Sequence, residues 1–128
     1  MSHIIGLGID ATDIHRIAET IERYGDRFLH RIFTEGEVAY AMRRRTPAIH
    51  LAGRFAAKEA AMKALGTGWG EGVGWRDIEV LRLPTGLPSL RFHGRALERL
   101  TALGAHRAHL SLTHSRDLAL AHVVLEGK

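Results

Sequence analysis

Ile5, Leu7 and Ile9 alternate with Gly6, Gly8 and Asp10, the period-two pattern of a strand with one face stripped to glycine. A face without side chains predicts that something approaches it closely. Thr12 or Asp13 is placed to cap a following helix whose apolar stripe is Ile14, Ile17, Ile21 and Tyr24, with Gly25 positioned to end it. Thr34 and Glu37 read as a capping box, with Phe33 and Val38 at the staple positions, so a short helix is predicted to begin at Glu35. Thr46 and Pro47 open a longer, alanine-rich helix that runs to Leu65, where Gly66 can stop it in a left-handed turn.

Beyond that helix the pattern changes. Gly66, Gly68, Gly70, Gly72 and Gly74 fall within nine positions and predict a loop. Strands are expected over 78–83 and 90–92, joined by a turn around Pro84, Gly86 and Pro88. A helix over 95–103 should end at Gly104, and two last strands, over 109–113 and 118–125, flank Ser115, Arg116 and Asp117 as a hairpin.

The chain has 128 residues, 45% hydrophobic and 25% charged, which suits one ordinary core and one domain over residues 1–128. No apolar run approaches the roughly 18 to 20 residues of a membrane span, and the first ten residues lack the basic flank and cleavage site of an export signal. The absence of cysteine excludes disulfides and thiolate metal sites. It suits a reducing cytoplasm and equally a cysteine-poor exported protein. A formal charge of +4, with Arg16, Arg23, Arg27, Arg31 and the run Arg43, Arg44, Arg45, predicts an acidic partner. Nucleic acid, an acidic protein or a phosphorylated small molecule would answer the same field. Against nucleic acid, aromatic residues make up only 6% and are not interleaved with the arginines as a stacking platform requires.

Several residues carry candidate chemistry. On the long helix Leu51, Phe55, Met62 and Leu65 form an apolar stripe, and Glu59 and Lys63 lie one turn apart on its flank. That pair reads either as a solvent-exposed helix salt bridge of about 0.3 to 0.5 kcal/mol or as a metal-ligating carboxylate beside a phosphate-binding lysine. Asp10 reads as a cap or turn residue, or as a ligand, since Mg²⁺ is often held by one or two carboxylates with water and phosphate oxygens completing the shell. The glycine loop can be a connector or a phosphate cradle; it follows a helix C-terminus, unfavourable for anions, and lacks the Gly-Lys-Ser/Thr of a Walker loop. On the 109–113 strand, His109, Ser111 and Thr113 share one face, and Leu110, Leu112 and His114 the other. A histidine such as His114, at a strand end near a turn, is either structural or a donor to phosphate.

Four segments in order resemble the small bacterial acyl-carrier-protein synthases of the phosphopantetheinyl transferase superfamily. They are Gly6-Leu7-Gly8-Ile9-Asp10 with Arg16-Ile17; Arg31-Ile32-Phe33-Thr34-Glu35-Gly36-Glu37; the run from Leu51 to Gly68 centred on Arg54-Phe55-Ala56-Ala57-Lys58-Glu59-Ala60-Ala61-Met62-Lys63; and His109-Leu110-Ser111-Leu112-Thr113-His114. The resemblance implies an α+β fold, the 4′-phosphopantetheinyl transferase fold, in which a small, mainly antiparallel sheet packs with one long helix and several short ones. It implies Mg²⁺-dependent transfer of 4′-phosphopantetheine from coenzyme A to a serine of apo acyl carrier protein, with release of adenosine 3′,5′-bisphosphate. Fatty-acid synthesis is the default setting of such enzymes.

By the same resemblance, Asp10 and Glu59 hold Mg²⁺ and Glu59 and Lys63 are catalytic. Arg54, Lys63, Gly66, Gly68, Thr113 and His114 bind coenzyme A, and Arg16, with Arg23 seven residues on, contacts the carrier. The serine proton goes to Glu59 or to a metal-bound water. The family implies a cytoplasmic homotrimer with active sites between subunits, and neither a nucleic-acid nor a membrane partner. Leu87, before Pro88, where many relatives are basic, and the run Arg43 to Arg45 depart from the family pattern. Trp69 and Trp75, in or beside the glycine loop, either pack there or stack on adenine.

Overall fold

The glycine-stripped strand and the alanine-rich helix fit face to face, and the rest of the chain is arranged around that contact. The computed structural model describes residues 1–67 and 72–128. In chain order its elements are β1 (His3–Asp13), α1 (Ile14–Tyr24), α2 (Asp26–Ile32), α3 (Glu35–Met42), α4 (Pro47–Leu65), a 3-10 turn (Trp75–Asp77), β2 (Ile78–Arg82), β3 (Pro88–Phe92), α5 (Gly94–Ala102), β4 (Ala105–His114) and β5 (Leu118–Gly127). Strands β1, β5 and β4 form an antiparallel sheet in that order, and β2 and β3 form a separate two-stranded hairpin. The α+β arrangement of small antiparallel sheets against one long helix is as expected.

The bare face of β1 is filled by α4. A Cβ built on Gly6 would strike the carbonyl oxygen of Ala64, and one on Gly8 that of Ala60. Glycine on the strand and alanine on the helix together let two backbones approach more closely than larger side chains would allow. Ala56, Ala57, Ala60 and Ala61 are each 0% exposed, so α4 is buried nearly all round rather than along one stripe. The opposite face of β1 looks outward, and Leu7 and Ile9 remain 59% and 61% exposed.

A buried ion pair ties α4 to its neighbours. Lys58 Nζ lies 2.8 Å from Glu37 Oε1 with both side chains fully buried, and it also donates to the carbonyls of Trp75 and Ile78. Glu37 accepts from the backbone N–H groups of Thr34 and Val80, each at 2.8 Å. Burial holds Lys58 below its usual value, against the opposing pull of Glu37. Every strong donor and acceptor in the cluster is matched, the condition under which a buried pair survives its desolvation cost.

The caps follow the sequence closely: Asp13 accepts from His15 and Arg16 N–H, Thr34 and Glu37 form the reciprocal box, and Gly66 closes α4 at φ +74. Two readings need correction, and one helix is new. Asp10 is neither cap nor turn residue, because β1 runs on to Asp13 and pairs Asp10 with Ala121. Tyr24 leaves the α1 stripe and is 55% exposed, with the Arg23 guanidinium 5.7 Å from its ring centroid. The α2 helix, with Phe28, Leu29 and Ile32 turned inward, was not anticipated: its seven residues give too few repeats for periodicity, and Gly25 both ends α1 and precedes α2.

Candidate active site

Asp10 sits on the same face of β1 as Gly6 and Gly8, two residues further along, so the contact that buries the glycines also carries its carboxylate to α4. Lys63, on the exposed side of α4, donates to Asp10 Oδ1 at 3.2 Å and to the carbonyl of Ile9 at 2.9 Å. Thr12 Oγ1 donates to the other carboxylate oxygen at 3.0 Å. Of the two readings of Glu59 and Lys63, the helix salt bridge is not formed among the described residues, and Lys63 bonds to β1 instead.

Glu59 instead lines a cleft of about 470 Å³ with Asp10, Thr12, Asp13, Arg16 and Phe55. Partial burial pushes its carboxyl above the usual range, and repulsion from Asp10 adds to that, with Lys63 opposing. Two carboxylates lining one cleft form a donor set suited to a hard dication. Among the described residues no group of three or more His, Cys, Asp or Glu converges on one point, so a cation here would draw its remaining ligands from water and phosphate. Arg16 brings a cation to the mouth of the cleft from the first turn of α1. Arg23 is exposed on α1 outside the cleft. Phe55 stacks on Trp75 at 4.9 Å. Trp75 therefore packs, at 6% exposed.

The other expected site residues lie elsewhere. Arg54 precedes Glu59 by five positions, about 140° around the helix, and opens into a second cleft of about 130 Å³ with His50, Arg82, Thr113 and His114. Arg54 is 2% exposed; it donates to the His50 carbonyl at 3.4 Å and hydrogen-bonds Tyr40, and its Nε has no partner among the described residues. Gly66 is exposed at the C-terminal end of α4, and Gly68 and Trp69 lie outside the described residues. Within one chain, then, Asp10, Glu59, Lys63 and Arg16 come together, and Arg54, Thr113 and His114 come together separately.

Sequence reasoning passed over the surroundings of the second cleft. Tyr40, at the end of α3, has the guanidinium carbons of Arg44 and Arg54 each 4.1 Å from its ring centroid and that of Arg82 at 5.6 Å, with His50 edge-on at 5.8 Å. His50 is held below its usual range by burial and by the charges of Arg54, Arg44, Arg82 and His114. The run Arg43 to Arg45 was the one visible signal of this cluster; nothing local connects Tyr40 with Arg82.

Paired carboxylates with an adjoining ammonium, and a separate guanidinium-rich cleft, define a group-transfer enzyme acting on a phosphorylated substrate. Residues 6–122 match the model of the 4′-phosphopantetheinyl transferase superfamily, and the chain belongs to that family. It is 56% identical over 124 residues to a holo-[acyl-carrier-protein] synthase of Nitratidesulfovibrio vulgaris (strain DP4), covering 97% of this chain and 99% of the relative. The crystal structure of the Neisseria meningitidis holo-[acyl-carrier-protein] synthase superposes with TM-score 0.86 at 36% identity, over 96% of this chain and 98% of that one. The Bacillus anthracis enzyme in complex with CoA (3′,5′-ADP) superposes at 0.80 with 39% identity, over 98% of each chain.

Proposed function

We propose that this chain, as one catalytic domain, transfers 4′-phosphopantetheine from coenzyme A to a serine hydroxyl of apo acyl carrier protein, with Asp10 and Glu59 holding Mg²⁺. The observation that carries this reading is the meeting of Asp10 with Glu59 and Lys63 across about fifty residues of sequence, in a chain of this family. The serine oxygen forms a bond to the β-phosphorus of coenzyme A, the bridging P–O bond breaks, and adenosine 3′,5′-bisphosphate leaves with the bridging oxygen. Lys63, its ammonium fixed by Ile9 and Asp10, offsets charge on the phosphate oxygens. Glu59 takes the serine proton, directly or through water. When bound, Mg²⁺ supplies charge neutralisation on the diphosphate.

The second cleft suits the anionic groups of coenzyme A, with Arg54, Thr113 and His114 as its contacts, and Gly66, Gly68 and Lys63 are assigned to the same substrate. The two clefts open from different sides of α4, and the outward sheet face carries exposed Leu7 and Ile9. Both features support a homotrimer in which the Asp10 cleft of one subunit is completed by the Arg54 cleft of the next. Arg16 and Arg23, exposed on α1, suit an acidic carrier. Among the described residues no helix is long and apolar enough to cross a membrane, and the reading places the enzyme in the cytoplasm, serving fatty-acid synthesis.

The test is the intact mass of apo acyl carrier protein after incubation with the purified protein, coenzyme A and Mg²⁺, with EDTA in a parallel sample. Gain of one phosphopantetheine arm in the Mg²⁺ sample alone is expected. An unchanged mass, while a known synthase succeeds alongside, would refute the activity; equal gain with EDTA would refute the metal.

A further inference from the structure

The end of α4 is a poor place for an anion unless something there carries positive charge. A helix dipole leaves roughly half a negative charge at the C-terminus, and Gly66, one of the residues assigned to coenzyme A, directly follows the 19 residues of α4. Lys63 is the basic residue of the last turn, but its ammonium bonds to Ile9 and Asp10 of β1. The cation that reaches the helix end comes from α5. Arg99, half-buried, donates its Nε–H to the Leu65 carbonyl at 2.9 Å. A terminal nitrogen of the same guanidinium stands 3.6 Å from where a Gly66 Cβ would lie, so the charged group rests against the left-handed turn. The carbonyls of Met62 and Lys63 are taken by the N–H groups of Thr67 and Gly66. Among the described residues no carboxylate forms a salt bridge with Arg99; the adjacent Glu98 faces Arg95 at 3.8 Å.

We propose that Arg99 is a positioning residue for coenzyme A, its guanidinium offsetting the negative end of α4 and fixing the Gly66 turn so that an anion is accepted there. The assignment rests on the reading that the chain binds coenzyme A, whose diphosphate meets Lys63 three residues before Gly66. Arg99 touches no substrate in this scheme. It acts through the helix end, where a cation close to the last carbonyls cancels the field that would repel a phosphate. Charge and hydrogen bond are separable parts of that role, because a glutamine side-chain nitrogen lies as many bonds from the backbone as arginine Nε and donates without a charge. The carrier, which α1 suits, should not sense the change.

The experiment is steady-state kinetics on the full chain with Mg²⁺, coenzyme A and apo acyl carrier protein being varied in turn. Three variants each lower the net charge by one unit. Arg99→Gln keeps a donor for the Leu65 carbonyl and loses the charge. Ala102→Glu, exposed and lining the same cavity of about 230 Å³ as Arg99, sets a carboxylate three residues along α5 from Arg99 and leaves the hydrogen bond in place. Thr101→Glu is the control, an exposed position of the same helix that does not line that cavity and does not face Arg99. Arg99→Gln and Ala102→Glu should each raise KM for coenzyme A roughly fivefold, the scale of a charge at a helix end. Their kcat and carrier KM should stay within about twofold of wild type, as should every constant of Thr101→Glu. If Arg99→Gln does not fold, Ala102→Glu decides alone. A rise confined to Arg99→Gln would reduce Arg99 to a structural cap, and an equal rise in Thr101→Glu would mean that net charge alone acts; either overturns the assignment. So would an equal loss for carrier and coenzyme A. A wild type that transfers the arm no better than Arg99→Gln and Ala102→Glu sinks this inference alone, whereas one that transfers none sinks the functional reading with it.

Discussion

Replacing Gly8 by alanine adds one methyl group where the fold has no room for it. The new Cβ would collide with the Ala60 carbonyl oxygen and stand 2.7 Å from its carbon and 3.0 Å from the Ala64 nitrogen. Ordinary carbon contacts are about 3.5 to 4.0 Å, so β1 and α4 must separate by roughly 1 Å. The obstructing atoms are backbone of a buried helix, so no flexible side chain can yield in their place. Overpacking of this kind costs on the order of 1 to 3 kcal/mol or more, a fall in Tm of roughly 10 °C for a chain of this length. The same displacement would stretch the 3.2 Å contact between Lys63 and Asp10 beyond hydrogen-bonding reach, so arm transfer should fall further than lost folding explains, even well below Tm. Gly53→Ala is the control for stability alone, since among the described residues nothing lies within 4 Å of a Cβ there but Gly53 lines the second cleft; in mid-helix it should be neutral or stabilise by up to about 1 kcal/mol. Thermal denaturation of the three proteins and initial rates of wild type and Gly8→Ala decide the matter. A Gly8→Ala protein as stable and as active as wild type would refute the view that this contact sets the site.

Glu59→Gln should leave the circular dichroism spectrum and Tm near wild type while transfer falls by orders of magnitude at saturating Mg²⁺; full activity would remove Glu59 from the site. Arg16→Ala should raise KM for the carrier and flatten its salt dependence with coenzyme A affinity unchanged, and a matching loss of both affinities would sink its carrier role. Glu79 accepts from Thr34 Oγ1 at 2.8 Å and pairs with His93 at 3.0 Å. Burial raises its pKa, but the His93 and Thr34 hydrogen bonds prevail and hold it below the usual range. A carboxylate with a lowered folded pKa stabilises the fold above its unfolded pKa, and that stability is lost as pH falls through the folded value. Glu79→Gln should therefore flatten the fall of Tm on acidification below about pH 5, and an unchanged acid profile would show that the pair does not contribute.

Much of the fold was legible because its signals are short-range. Caps at Asp13 and Thr34, the left-handed Gly66 and the turns at Gly86 and Ser115 concern residues within four or five positions of one another, so the sequence determines them locally. The spacing of Gly6 and Gly8 announced a close approach, and the block around Arg54 to Lys63 carried the family resemblance. Which body fills the glycine face was decided only by tertiary packing, since the α4 residues that meet it, Ala60 and Ala64, lie more than fifty positions from Gly8 and Gly6 and nothing in β1 encodes its partner. The same packing turned Lys63 from a helix salt bridge with Glu59 into a bond to Asp10, and placed Arg54 in a different cleft from Glu59 although five residues separate them. The gathering of Tyr40, Arg44, Arg54 and Arg82 had no local pattern at all. Their attraction depends on through-space distance, and only the crossing of α3, α4 and β2 sets that distance.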